Sequence, residues 1–372
     1  MPVPLTGKAI DTAAHIEAEL DPSLIGDWNR LALRAGDPFV SHEWLASWWG
    51  AFGEDNASAW LLLGGREEPL RAGALIRRTS SGQLTSATNV HSGYWNAVAI
   101  DTSARAELFT ALATLGAPRI ALQAMPEWEE SSTIAGAELE RAGYRVLRRA
   151  GQLSPWLSLP ASWEDLIGST SGGLRSQVGR RRRALERKGA LTFRTTIEGP
   201  ALESDLEAFL TLEASGWKAK SGTAILSKPA TERLYRDFAR AAARRGWLRL
   251  YLLELDGELI AADYGCVFAG GAFFIKTAFS EAHSRLSPGL VLRAEVLRAS
   301  IEEGLDSYDF LGGPDDYKLR WTSQLRQRVQ LDAYRGRALP EYIYRTKLRP
   351  LLRAGRDLLA SGDDNRIDAN RR

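Results

Sequence analysis

Apolar positions in the second half of the chain follow two periods. Over 202–215, Leu206, Phe209 and Leu210 recur at helical spacing, with Glu213 near the same face, and predict an amphipathic helix. Further helices are predicted over 173–188, ended by Gly189, over 231–245, stopped by Gly246, and over 290–303, opened by Pro288-Gly289 and closed by Gly304. Between them lie strand patterns at 191–196, 247–255, 258–268, 272–278, 307–311 and 327–334. Asp256-Gly257 joins the second and third of these and is the clearest hairpin signal in the chain.

The first half repeats a similar order. Ser41 is an N-cap for a helix carrying Trp44, Leu45, Trp48 and Trp49 at helical spacing. Strands are predicted at 59–63 and 70–77 around Gly64-Gly65, then at 97–100, 119–123 and 144–149, with helices over 104–115 and 134–142. Gly151, Ser154 and Pro155 punctuate the stretch 150–155, which reads as a boundary. The expected organisation is a first domain over 1–150, an independently folding second domain over 156–337, and a basic tail helix with a disordered end over 338–372. The fold class expected is α/β (α+β): two tandem domains with mixed, mainly antiparallel sheets flanked by helices.

Composition narrows the function. Hydrophobic residues at 44% and charged residues at 25% suit a globular protein with a sizeable core. The 48 Lys and Arg against 46 Asp and Glu leave a net charge of +2, which argues against a general nucleic-acid binder; no DNA partner is expected. The single cysteine, Cys266, sits in an apolar strand pattern and reads as a core residue, and the scattered His15, His42, His91 and His283 make no metal site. With no signal-peptide pattern and no apolar run near the roughly 18 residues that span a bilayer, a cytoplasmic location is expected. Leu348, Leu351, Leu352, Leu358 and Leu359 among Arg345, Lys347, Arg349, Arg353 and Arg356 suggest a basic amphipathic tail, packed on the domain or peripheral on the inner face of an anionic membrane.

Four segments carry a family resemblance: 217–224 (Trp-Lys-Ala-Lys-Ser-Gly-Thr-Ala), 276–281 (Lys-Thr-Ala-Phe-Ser-Glu), 286–292 (Leu-Ser-Pro-Gly-Leu-Val-Leu), and 308–313 (Tyr-Asp-Phe-Leu-Gly-Gly) followed by 317–321 (Tyr-Lys-Leu-Arg-Trp). In order and spacing the chain resembles the GNAT-related family that includes the CelD-like proteins of cellulose and exopolysaccharide loci. It is also similar to the Fem-type double-GNAT aminoacyltransferases. The likeness covers about 156–335 well and the first half loosely, through Pro38-Phe39-Val40-Ser41 and Ser92-Gly93-Tyr94-Trp95-Asn96. Asn96 stands where the family often has an acidic residue.

The resemblance implies an N-acyltransferase that moves an acyl group from acyl-CoA, a co-substrate rather than a tightly bound cofactor, to an amine. The acceptor implied is an envelope or polysaccharide precursor, or an amine lipid as in bacterial ceramide synthesis. A non-catalytic GNAT-like binding module and an aminoacyl-tRNA-dependent transferase stay as alternatives. It assigns catalysis to Tyr317, as the acid for the departing thiolate, and to Lys318. The base candidates are Glu213 and Asp263, the latter among apolar neighbours that raise a carboxyl pKa. Donor contacts fall to Lys276, inside an apolar strand, and to Ser287 and Gly289 at a helix start. Arg180 and Arg183 join them, from a cationic helix that steers an anionic donor. Substrate contacts fall to Trp217, Lys218, Tyr94, Asp309 and Trp321. The usual glycine-rich CoA loop is missing before the helix at 290.

Overall fold

The computed structural model describes residues 14–53, 58–65, 67–215 and 222–349. The first half runs β1 (Ala14–Glu17), α1 (Ile25–Ala35), α2 (His42–Phe52), β2 (Ser58–Leu63), β3 (Ala72–Arg78), β4 (Leu84–Ser86), β5 (Val98–Ala99), α3 (Thr102–Thr114), β6 (Arg119–Pro126) and α4 (Ser131–Arg141). Then come β7 (Arg145–Ser158), α5 (Trp163–Ser169), α6 (Gly172–Glu186), β8 (Leu191–Thr196), α7 (Leu202–Ser215) and α8 (Pro229–Arg244). The chain continues through β9 (Leu248–Leu255), β10 (Glu258–Phe268), β11 (Gly271–Phe279), α9 (Pro288–Glu302), β12 (Ser307–Asp309), α10 (Asp316–Leu319) and β13 (Leu325–Tyr334).

The described strands join one sheet in the order β1-β2-β3-β4-β6-β13-β7-β12-β11-β10-β9-β8, with β5 added on β3. Its pairs are antiparallel except β4 with β6 and β11 with β12. This is the mixed, mainly antiparallel sheet flanked by helices that the sequence predicts. Asp256 and Gly257 both take positive φ, 51° and 83°, and join β9 to β10 as a two-residue hairpin.

The seam between the halves differs from the sequence reading. Residues 150–155 are not a linker: they lie inside β7, whose Arg145–Pro155 stretch pairs with β13 and whose last residues pair with β12. Gly151 marks a bulge in that ladder, at the register shift between Gln327 and Val329. A Cβ there would lie 3.0 Å from the Arg328 carbonyl oxygen, so the strand needs glycine for close approach rather than for a turn. β13, late in the chain, is inserted between β6 and β7.

The core also crosses the seam. Trp44 of α2 meets Phe238 of α8 edge to face at 4.8 Å between ring centroids, and both side chains are buried. The apolar faces of α1 and α2 thus share one cluster with α7, α8 and the strands β9 and β10. Helix α1 buries Trp28, Leu31 and Ala32, a spacing of three and four that the sequence carries and that the predicted elements omit. Cys266 is buried in the shared cluster, where burial pushes its thiol pKa up and keeps it neutral.

Candidate active site

A cavity of about 810 Å³ opens between α7, β11, the start of α9 and the segment 310–321. That size and a wall of Leu212, Phe274, Ile275, Phe279, Phe310 and Trp321 suit an organic ligand, with a few polar groups to orient it. Glu213, Lys276, Ser287, Gly289, Tyr317, Lys318 and Trp321, seven of the residues singled out in the sequence, all line it.

Glu213 is buried near the end of α7, and its Oε2 accepts the Ile225 N–H at 2.8 Å. Lys276 faces it from β11, with Nζ 5.6 Å from the Tyr235 ring centroid, a cation–π contact that keeps a charge tolerable inside an apolar strand. Tyr317 stands at the opening, 45% exposed. Its phenol pKa is pushed up to about 12, mainly by desolvation, so the group carries its proton through the neutral range.

Lys318 is placed differently from a substrate-binding lysine. Its Nζ donates to the carbonyls of Leu311 (2.9 Å) and Gly313 (3.1 Å) and pairs with Asp315 Oδ2 at 2.9 Å. These partners match the three donors of an ammonium group. Burial lowers its pKa, opposed by Asp315. The lysine clamps the bend that follows β12, and Gly312 at φ 60° lets Nζ pass within 3.0 Å of where a Cβ would stand.

The same bend is fixed from three other directions. Asp309 Oδ1 accepts the Leu311 N–H at 2.8 Å, with Leu311 in the left-handed region at φ 49°. Ser154 of β7 donates to the Gly312 carbonyl at 3.0 Å, and Arg328 of β13 donates to Ser154 Oγ at 2.8 Å. Tyr94, from the first half, donates its hydroxyl to Asp309 Oδ2 at 2.5 Å. Asp309 and Tyr94, expected as substrate contacts, therefore stand behind the cavity wall. Burial raises the Asp309 pKa, and the bonds from Tyr94 and Leu311 pull it back. Asn96 donates to Glu129, so a carboxylate stands beside that amide.

Asp263 is also off the wall. It is buried and forms an ion pair with Arg293 at 2.8 Å, so its apolar surroundings are offset by a cation. Arg293 itself lines the cavity, lies 3.7 Å over the Phe274 ring and donates to the Tyr308 hydroxyl. It is the functional candidate that the sequence reading missed. The signal was present: an arginine within the apolar run Leu290-Val291-Leu292-Arg293-Ala294, on a helix that also buries Val291, Leu292, Ala294, Val296 and Leu297.

Arg180 and Arg183 do not line the cavity; they are exposed on α6 beside it. Trp217 and Lys218 lie outside the described residues. At the start of α9, Pro288 has no N–H, and the N–H groups of Leu290 and Val291 both go to the Ser287 carbonyl, at 3.0 and 3.4 Å. Gly289 supplies the N–H of that turn that Ser287 does not take.

Residues 172–319 match the family described as an acetyltransferase (GNAT) domain. Among solved structures, FemX is 13% identical, covers 88% of this chain and 99% of its own, and has a TM-score of 0.59. L-PGS from Bacillus licheniformis is 13% identical over 88% of this chain and 96% of its own, with a TM-score of 0.55. The C-terminal domain (DUF2156) of a putative lysylphosphatidylglycerol synthetase from Agrobacterium fabrum is 14% identical over 84% of this chain and 92% of its own, with a TM-score of 0.54. These likenesses carry the fold over both halves. No curated protein matches the chain in sequence.

Proposed function

We propose, from the premise that residues 172–319 form a GNAT-type transferase domain, that the chain is an N-acyltransferase working in the cavity on β11. The donor is an acyl-CoA thioester. The acceptor is a primary amine on an envelope or polysaccharide precursor or on an amine lipid. The observation that carries the reading is one cavity holding a buried carboxylate, a protonated phenol and a buried guanidinium: Glu213, Tyr317 and Arg293.

The chemistry follows from those groups. The amine nitrogen attacks the thioester carbonyl carbon, a C–N bond forms and the C–S bond breaks. Glu213 takes the proton lost by the amine, and Tyr317 gives its proton to the departing thiolate. Arg293, preset by Asp263 and Tyr308, stabilises the carbonyl oxygen as it gains charge. Lys276 contacts the donor from the facing wall. Lys318 and Asp309 hold the bend that presents Tyr317, and Trp321 is a buried part of the wall. Asp263 acts through Arg293 rather than as the base.

A panel of acyl-CoAs against candidate amines, followed by release of free thiol, tests this directly. Thiol release that depends on both reactants supports it; thermal stabilisation by acyl-CoA with no turnover points instead to a non-catalytic module. An aminoacyl-tRNA donor is the second reading. It is favoured by the cationic helix α6 and by the likeness of fold to FemX, and it predicts RNA that co-purifies and leaves at high salt.

A further inference from the structure

We propose that the rim of this cavity docks on an anionic lipid bilayer, from which a lipid-borne reactant enters. The identity of that reactant rests on the acyl-transfer reading; the docking rests on the surface itself.

Helix α6 sorts its arginines. Leu174 and Leu185 are buried against the core. Arg181 turns to the Arg285 carbonyl at 2.7 Å, and Arg182 turns to Glu186 at 2.9 Å and to Glu295. Arg175, in the first turn, donates to the Gly168 carbonyl at 3.5 Å; Arg180, Arg183 and, at the helix end, Arg187 remain, all exposed. Their spacing of three and four puts them on one stripe, about 10 Å long at the helical rise per residue. The helix that carries the stripe adjoins the cavity: Arg181 binds the turn Glu281–Leu286, and Gln177 accepts from Arg320, which lines the cavity together with Ser284 and Ser287.

Large apolar side chains stand in the open on the same rim. Phe279 is 39% exposed and Tyr317 45%, both lining the cavity, and Leu319, 41% exposed, follows in the chain between the lining residues Lys318 and Arg320. The acidic groups on this rim are Glu281, Asp315, which Lys318 holds, and Asp316. Exposed aromatic and aliphatic groups ringed by arginines are the composition of an interfacial surface, where the rings enter the headgroup boundary and the cations meet lipid phosphates.

A soluble nucleotide would account for the cations but not for the exposed Phe279 and Leu319. Cations spread along a helix suit many phosphates on a surface better than one enclosed pyrophosphate.

The test is sedimentation of the full chain with vesicles of phosphatidylcholine, with and without phosphatidylglycerol. Binding is expected only with phosphatidylglycerol and should weaken as salt rises. The variant Arg180→Gln/Arg183→Gln/Arg187→Gln should lose on the order of a hundredfold in partitioning, the loss expected of three cations at an anionic surface. Leu319→Ser should weaken binding at low and high salt alike, as an apolar contact does. No sedimentation with phosphatidylglycerol vesicles, or a triple variant that overlays the wild type, overturns the proposal. So does an equal loss of affinity for free acyl-CoA without vesicles, which would give the arginines to a soluble donor. The assay reads no turnover, so a chain that binds these vesicles yet transfers no acyl group sinks the acyl-transfer reading and leaves the docking standing.

Discussion

The Tyr94 hydroxyl donates to Asp309 Oδ2 at 2.5 Å, and Asp309 in turn holds the Leu311 N–H with its other oxygen. One residue of the first half thereby fixes the bend that carries Leu311 and Gly312 into the cavity of the second. Tyr94→Phe removes the bond and keeps the ring packed on Trp128 and Phe39. Turnover is expected to fall about tenfold or more with KM little changed. Because that bond lowers the Asp309 pKa against the rise caused by burial, its loss raises the pKa further. The acid limb of the rate profile should therefore move to higher pH, a shift that a merely loosened fold would not give.

Tyr317→Phe tests the acid. General acid catalysis is typically worth about 10²–10⁴-fold, so the variant should lose turnover in that range. Tyr317 lines the cavity and is 45% exposed, and the melting temperature should stay close to that of the wild type. With the phenol pKa at about 12, no loss of activity from its ionisation is expected between neutral and mildly alkaline pH. Steady-state kinetics with thiol detection beside a thermal melt checks both parts.

Lys318→Ala is expected to cost both rate and stability. Removing the ammonium leaves the buried Leu311 carbonyl and the half-buried Gly313 carbonyl without this donor, at about 1–3 kcal/mol for the buried group. A lysine that only touched substrate would cost rate alone. Denaturant unfolding of the variant decides between a clamp and a ligand contact.

Much of this was legible in the sequence, for identifiable reasons. The helix over Leu202–Ser215 and the hairpin at Asp256-Gly257 depend on local signals, apolar period and turn chemistry, and both stand where those signals put them. Tyr317, Lys318 and Lys276, which the family resemblance singles out, line one cavity, but the resemblance could not show that the bend takes up the Lys318 ammonium. Arg293 was missed because an arginine in an apolar run reads as solvated until its partner Asp263, on another element, is known. Gly151 was misread because glycine serves both turns and bulges, and the Arg328 carbonyl that demands it lies far along the chain. Non-local pairing is what a local pattern cannot carry.

Asp37 gives a pH signature of stability. It is buried, and its carboxyl pKa is raised to about 8 by burial, with Glu129 and Asp309 adding to the rise and the Phe39 N–H bond opposing it. The folded state binds this proton more tightly than the unfolded chain, whose ordinary value is 3.8. Its contribution to stability is thus fully present below that value and is lost as pH rises toward about 8. The slope in that window reaches at most about 1.4 kcal/mol per pH unit. Asp37→Asn keeps an oxygen for the Phe39 N–H and removes the titration. Unfolding curves at mildly acidic and mildly alkaline pH should differ less for the variant than for the wild type; equal differences would remove Asp37 from the account.

The inserted strand makes the last prediction. A fragment beginning at Trp156 and ending at Arg337 covers the second half as the sequence divides it. It nevertheless discards every ladder partner of β13, because those residues lie on Arg119–Pro126 and Arg145–Pro155. It also exposes Phe238 and the α8 face that Trp44 covers. An unpaired strand with apolar Val329, Leu331, Ala333 and Tyr334 beside an uncovered helix face is a template for self-association. The fragment is therefore expected to aggregate or to lack the near-ultraviolet signature of the whole chain, which itself should unfold in one cooperative step. Beginning the fragment at Arg145 returns the β7 side of β13 but not the β6 side, and should rescue it only in part. A soluble, monomeric, cooperatively folded 156–337 fragment would show instead that β13 finds another place in the second half and that the shared core is dispensable.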